Sequence, residues 1–146
     1  MSGIVCAIRG GPDSQPTIDK SISIAIETGQ TIYFLYVVNL DFLSHTATSR
    51  VQVAAKEMHQ MGEFILLTAQ AQAMDQGVTA ECIVRHGQVR EEIIGLCREV
   101  EADYVTLGRP RGQEEADVFT HDRLKQFTEF IETESGAKAI LANEAP

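Results

Sequence analysis

The chain lacks any apolar run of the roughly 20 residues that cross a bilayer, so no membrane partner is expected. Its start lacks a basic stretch followed by an apolar one, the mark of a secretory signal, which leaves the cytoplasm as the expected location. Basic residues are scarce: 12 Lys and Arg stand against 21 Asp and Glu, a formal net charge of −9. Such a surface repels phosphate backbones and argues against nucleic acid as a partner. Cysteine is limited to Cys6, Cys82 and Cys97, with no CxxC and no histidine pair at zinc-ligand spacing. Each cysteine sits in an apolar pattern, so all three read as buried thiols in a reducing compartment, with no metal expected. His45, His59, His86 and His121 are scattered, and none pairs with a serine or cysteine in a recognisable catalytic arrangement, so they read as surface residues. Internal repeats, low-complexity tracts and linkers are also missing, and 146 residues suit one compact domain over 1–146.

What the chain does have is short apolar runs alternating with amphipathic stretches. Residues 4–8, IVCAI, form a continuous run suited to a strand covered on both faces. Gly10, Gly11 and Pro12 stop it, Asp13 or Ser14 can cap a helix with Pro16 in its first turn, and Gly29 can end that helix. Ile18, Ile22, Ala25 and Ile26 are expected on its inner face. Residues 31–38 are rich in β-branched and aromatic side chains and predict a second strand. A polar loop over 39–49 leads to a long helix over 50–76, with Val51, Ala55, Met58, Gly62, Ile65 and Ala69 at helical spacing and Gly77 at its end. Met58, Met61 and Met74 read as core or interface filler. Residues 78–84 alternate as a strand near a sheet edge, and His86-Gly87 turns the chain into a helix lined by Val89, Ile93, Cys97 and Val100. Residues 104–107 predict a fourth strand; Leu124, Phe127 and Ile131 line a last helix; residues 139–142, AILA, predict a fifth strand. Five strands alternating with four helices imply an α/β fold with a parallel sheet and right-handed crossovers.

Two glycine turns follow buried strands: Arg9-Gly10-Gly11, and Gly108-Arg109-Pro110-Arg111-Gly112. Glycine permits close approach of backbone to a ligand, and backbone N–H groups beside arginines suit an anion. Arg9, Arg109 and Arg111 either form such an anion site or pair with Glu114, Glu115 and Asp117.

Larger patterns carry a resemblance. Leu35-Tyr36-Val37-Val38-Asn39 looks like an LHVV second strand, and residues 86–93, HGQVREEI, like an x-G-x-x-x-x-x-I helix start. Residues 102–109, ADYVTLGR, look like an ADLIVMGSR segment. In order and spacing these resemble the universal stress protein family over almost the whole chain. The resemblance implies a doubly wound five-stranded parallel sheet of order 3-2-1-4-5 with helices on both faces, similar to adenine-nucleotide alpha-hydrolases. Strands one and four are then neighbours at the topological switch point, where open α/β sheets bind ligands. The implied ligand site comprises Arg9, Gly10, Gly11, Gly108, Arg109, Arg111 and Gly112, with Val38 near any base. The resemblance also implies a homodimer through the edge formed by Ala139, Ile140, Leu141 and Ala142.

Departures from the family pattern are specific. Nucleotide-binding members carry an acidic residue after strand one, where this chain has Arg9. They carry G-x2-G-x9-G and then Ser or Thr after strand four. Here Gly112 follows Gly108 after three residues, the next glycine is Gly136, and Lys125-Gln126 falls near the family's Gly-Ser position. Glu114, Glu115, Asp117 and Asp122 between them oppose a polyphosphate. The expectation is therefore a homodimeric binding or signalling module of the stress response with a degenerate nucleotide site and no required cofactor. One alternative is an ATP or AMP binder with a remodelled phosphate loop. Another is an enzyme similar to ATP pyrophosphatases, whose S-G-G-x-D-S loop resembles residues 10–14, GGPDS.

Overall fold

Alternation along the strands divides the core in two. The computed structural model describes residues 3–9, 14–40, 47–108 and 118–141, with side chains in the last stretch from 125 onward. Within these, the strands are β1 (Gly3–Ala7), β2 (Thr31–Val38), β3 (Ala80–His86), β4 (Tyr104–Leu107) and β5 (Lys138–Leu141). The helices are α1 (Gln15–Thr28), α2 (Thr48–Asp75), α3 (Val89–Val100) and α4 (Val118–Ser135). All strand pairs are parallel, in the order β3-β2-β1-β4-β5. The sheet order implied by the family resemblance is thus the one observed, with β3 and β5 at the edges.

Ile4, Cys6, Ile32, Phe34, Tyr36 and Val38 point to the layer of α1 and α2, and Val5, Leu35, Val105, Leu107 and Leu141 point to that of α3 and α4. A strand places successive side chains on opposite faces, so a sheet covered on both sides must be apolar at every position. Fully buried Ile4, Phe34, Leu35 and Val105 meet that demand, and each contributes about 1.5–3 kcal/mol relative to exposure.

Helix α1 starts with proline in its first turn and ends at Gly29, whose left-handed φ of 73° lets its N–H reach the Ala25 carbonyl at 2.7 Å. Its inner face differs from the expected one. Thr17, Ile18, Ser21, Ile22 and Ala25 are buried, while Ile26 is exposed. The cause is polar. Ser21 Oγ lies 2.5 Å from Thr106 Oγ1 and donates or accepts there, and its distance to the Thr17 carbonyl is 3.0 Å. Satisfying the buried Thr106 hydroxyl turns the helix so that Ser21 faces the sheet and Ile26 faces out.

Other boundaries shift by a residue or two. Strand β3 begins at Ala80, because the Val78 N–H is committed to the Ala73 carbonyl at the end of α2. It runs through His86, and the turn falls on Gly87 alone, whose φ is 149°. Helix α2 extends from Thr48 to Asp75 and buries Gly62, Leu66, Ala69 and Ala73. Met58 is half-buried, whereas Met61 and Met74 are exposed, which leaves out the core among the two roles expected of them. Ala142 lies outside the described residues. Among the described residues no helix is long and apolar enough to cross a membrane.

Candidate functional site

The chain leaves β1 toward the α1 layer and β4 toward the α4 layer, so a crevice opens between the C-terminal ends of these neighbouring strands. A cavity of about 360 Å³ lies there, on the α3 and α4 side. Its floor is Ala7 at the end of β1 with Ile8 beyond it, Leu35 and Val37 of β2, and Leu107 at the end of β4 with Gly108 beyond it. Val89 and Ile93 of α3 and Phe127 of α4 form its walls, and exposed Arg9 stands at its rim. Arg9 is the ionisable side chain among the described lining residues; the rest is aliphatic or aromatic. Such a surface suits a flat apolar ring, with a cation at the edge for an attached anion.

A second cavity of about 470 Å³ adjoins the first and shares Val89 and Phe127 with it. Asn39, Gln88, Arg90 and Glu91 make it polar. The Arg90 guanidinium lies over the rings of Phe127 and Phe130, 5.9 and 5.1 Å from their centroids, in cation–π contact that ties α3 to α4.

Arg9 and Gly108 therefore line one cleft. Val38 does not line it. The side chain points into the α1 and α2 layer, and Val37, of opposite parity on the strand, faces the cleft. Gly10, Gly11, Arg109, Arg111 and Gly112 lie outside the described residues. Val89, Ile93 and Phe127 are read from sequence as core positions; they are apolar at helical spacing, and only the third dimension separates a core wall from a cleft wall. Gly108 also packs against α1, since a Cβ there would lie 3.0 Å from Thr17 Oγ1.

Electrostatic anchors surround the cleft without entering it. Arg85 of β3 makes ion pairs with Glu99 at 2.7 Å and Glu92 at 3.7 Å, fixing α3 on the sheet edge. The hydrogen bond to Glu99 raises the Arg85 pKa above its ordinary value and lowers that of Glu99. His86 turns away from the cleft and stacks on His59 of α2, with His86 Nε2 2.8 Å from His59 Nδ1. The side chain of His121 lies outside the described residues.

The model of the universal stress protein family matches residues 1–127. No curated protein matches by sequence. Among solved structures, the universal stress protein UspA from Lactobacillus plantarum is 12% identical with a TM-score of 0.77, covering 96% of each chain. A universal stress protein in complex with cAMP is 16% identical, covering 96% of this chain and 95% of its own, with a TM-score of 0.69. The Archaeoglobus fulgidus universal stress protein in complex with dAMP is 14% identical, covering 97% of each chain, with a TM-score of 0.63.

Proposed function

Because this chain belongs to the universal stress protein family, we propose that it is a nucleotide-binding module that seats an adenine mononucleotide in the cleft between β1 and β4. The carrying observation is the 360 Å³ apolar cavity at the switch point with Arg9 at its rim. Its size falls at the small end of ligand sites, which run from about 300 to 1,000 Å³, and fits a nucleoside with one phosphate better than three. The similar proteins solved with cAMP and dAMP support this ligand class. The base rests on Leu35, Val37 and Phe127, and the phosphate lies toward Arg9 and the Gly108–Gly112 turn, with Gly10, Gly11, Arg109 and Arg111 as further proposed contacts. The triphosphate is disfavoured, because Glu114, Glu115 and Asp117 follow that turn and Lys125-Gln126 falls near the family's Gly-Ser position. The site is in that sense degenerate: it reports a nucleotide to a partner in the stress response and does not require turnover.

Calorimetry with adenosine, AMP and Mg-ATP tests the reading. AMP binds, and ATP binds no tighter than about 100 μM, or about −5.5 kcal/mol. Arg9→Ala weakens AMP by about 1–3 kcal/mol and leaves adenosine unchanged, the signature of a charge-assisted hydrogen bond to phosphate. Low-micromolar ATP binding, or no binding of AMP, refutes it.

A second proposal concerns assembly. Strand β5 pairs only with β4 among the described strands, and its outer edge carries Ala139, Ile140 and Leu141. An open apolar edge invites a symmetric copy of itself. Ile140 lies in register with Thr106, on the face opposite the Leu141 core, and is half-buried. Ile140→Lys sets two cations across the seam and raises the dimer dissociation constant at least tenfold. Light scattering at tens of micromolar checks this; a wild-type mass near 16 kDa removes the dimer, and an unaffected Ile140→Lys dimer moves it elsewhere.

A further inference from the structure

Helix α2 is apolar on two opposite faces. The inner face, Gly62, Leu66, Ala69 and Ala73, is buried. The outer face carries Val53, Met61, Phe64, Leu67 and Met74, which are 58, 57, 72, 56 and 64% exposed. At about 100° per residue these five fall within one stripe centred near Phe64, on the side away from the sheet. Of the eight large apolar side chains exposed among the described residues, five lie on this one stripe. Apolar residues scattered singly need no explanation, whereas a cluster such as Met61, Phe64 and Leu67 marks a contact; exposed Glu57 and Gln60 separate Val53 from it on the same side.

The spacing says what covers it. About Phe64 the stripe is nearly palindromic: Met61 and Leu67 stand three residues to either side, Val53 eleven before and Met74 ten after. A second α2 laid antiparallel across a two-fold axis at Phe64 sets Phe64 on Phe64 and Met61 level with Leu67, and brings Val53 level with Asp75, one residue from Met74. A two-fold contact requires this kind of self-complementarity, in which residue i meets j and j meets i. Charge agrees with it. Arg50 and Asp75 are both exposed, near the two ends of α2. Antiparallel packing brings Arg50 of one copy toward Asp75 of the other, whereas parallel packing opposes like charges.

We propose that the outer face of α2 is a self-association surface, occupied by α2 of a second copy of this chain in an antiparallel two-fold pair. From Val53 to Met74 the stripe runs about 32 Å at 1.5 Å per residue, and a helix is about 10 Å across. The footprint is then on the order of 300 Å² per copy, below the roughly 800 Å² per partner of a standard interface. The contact is therefore weak and concentration-dependent. Each copy carries a formal net charge of −9, so added salt screens their mutual repulsion and strengthens the apolar contact. This surface is separate from the β5 edge; where both operate, two unlike two-fold contacts link copies into even-numbered assemblies.

Analytical ultracentrifugation from 5 to 500 μM in low and high salt tests the proposal, with each variant's helicity and melting temperature checked. In Ile140→Lys, where the β5 edge is blocked, average mass still rises with concentration, and more so in high salt. Adding Phe64→Glu or Leu67→Lys weakens that association at least tenfold with folding unchanged, because both positions are exposed. Arg50→Asp weakens it, and the double variant Arg50→Asp, Asp75→Arg restores it. An Ile140→Lys mass that stays monomeric throughout overturns the proposal, as does association that neither Phe64→Glu nor Leu67→Lys moves. If Ile140→Lys changes nothing while Phe64→Glu abolishes all association, the β5 proposal fails and this one stands.

Discussion

Raising the pH from 9 to 11 removes on the order of 4 kcal/mol of folding stability through two buried thiols. Burial pushes both Cys6 and Cys97 from 9.0 up to about 11. For Cys6 the hydrogen bonds to Ser21 and Thr106 oppose the shift but lose to the cost of placing a thiolate inside the α1 layer. Cys97, buried on the inner face of α3, shows the same balance, with Ser135 as the opposing partner. The direction of the effect follows from proton counts. Below pH 9 each thiol is protonated in both states and contributes nothing to the pH dependence. Between 9 and 11 the unfolded chain has released its protons while the native state still holds them, so stability falls with pH. The slope approaches about 1.4 kcal/mol per pH unit for each thiol in the middle of the window and falls off at its ends, so the two together lose about 4 kcal/mol across it. Domains of this size hold about 5–15 kcal/mol in all, so the alkaline loss is a substantial share of the total. Burial raises the half-buried Cys82 in the same direction and steepens the fall. Urea unfolding at pH 8, 9.5 and 10.5 in a non-thiol reductant checks the expectation. Cys6→Ala with Cys97→Ala costs stability at every pH, yet flattens the alkaline decline. If wild type and the double variant decline in parallel, other groups govern the alkaline limit and the account fails.

The same burial that raises these thiols made them legible. Each cysteine sits among apolar neighbours at strand or helix spacing, and that pattern needs no long-range information. The alternation of strands and helices, the cap at Gly29 and the position of β3 at an edge were readable for the same local reason. Sheet order came from family resemblance, since periodicity alone cannot order parallel strands. Failures occurred where one residue's role depends on a distant one. Ile26 was placed inward because α1 is apolar there, but Thr106 on β4 draws Ser21 to the sheet and rotates the helix. Helix α2 is apolar on two faces; the run from Val51 to Ala69 read from its period is the inner one, but Met61 and Met74, read as core or interface filler, lie on the outer, which periodicity alone does not decide. In the cleft, strand parity decides between Val37 and Val38, and the parity was available in the pattern of β2: Leu35 and Val37 share a face, and Val38 lies on the other. Phe127 was legible as apolar but not as a cleft wall, because that requires knowing where α4 leaves the sheet uncovered.

Replacing Gly62 shows how a distant contact reverses a local rule. In an isolated helix Gly→Ala is favourable by about 1 kcal/mol, because glycine loses more backbone freedom on folding. Gly62 sits in the middle of α2, where that gain should apply in full. It faces Tyr36 of β2 instead, and a Cβ at position 62 would fall inside the van der Waals envelope of the Tyr36 ring. Tyr36 is only 8% exposed and belongs to the core beneath α2, so the ring cannot swing into solvent without leaving a void. Overpacking of this kind costs about 1–3 kcal/mol and outweighs the propensity gain. Gly62→Ala is therefore neutral to destabilising by up to about 2 kcal/mol. Gly62→Leu adds three more carbons against the same ring and costs about 3 kcal/mol or more, since α2 must lift from the sheet to admit it. Lifting α2 also displaces the stripe around Phe64, so self-association changes together with stability. A size exchange isolates the cause. Tyr36→Ala alone opens a cavity and costs about 3–5 kcal/mol on the scale of aromatic truncations. Combined with Gly62→Leu, the new side chain occupies part of that cavity, and the double variant is more stable than the sum of the single losses predicts by at least about 1 kcal/mol. Strict additivity of the two changes would show that Gly62 matters for a reason other than the approach of α2 to Tyr36.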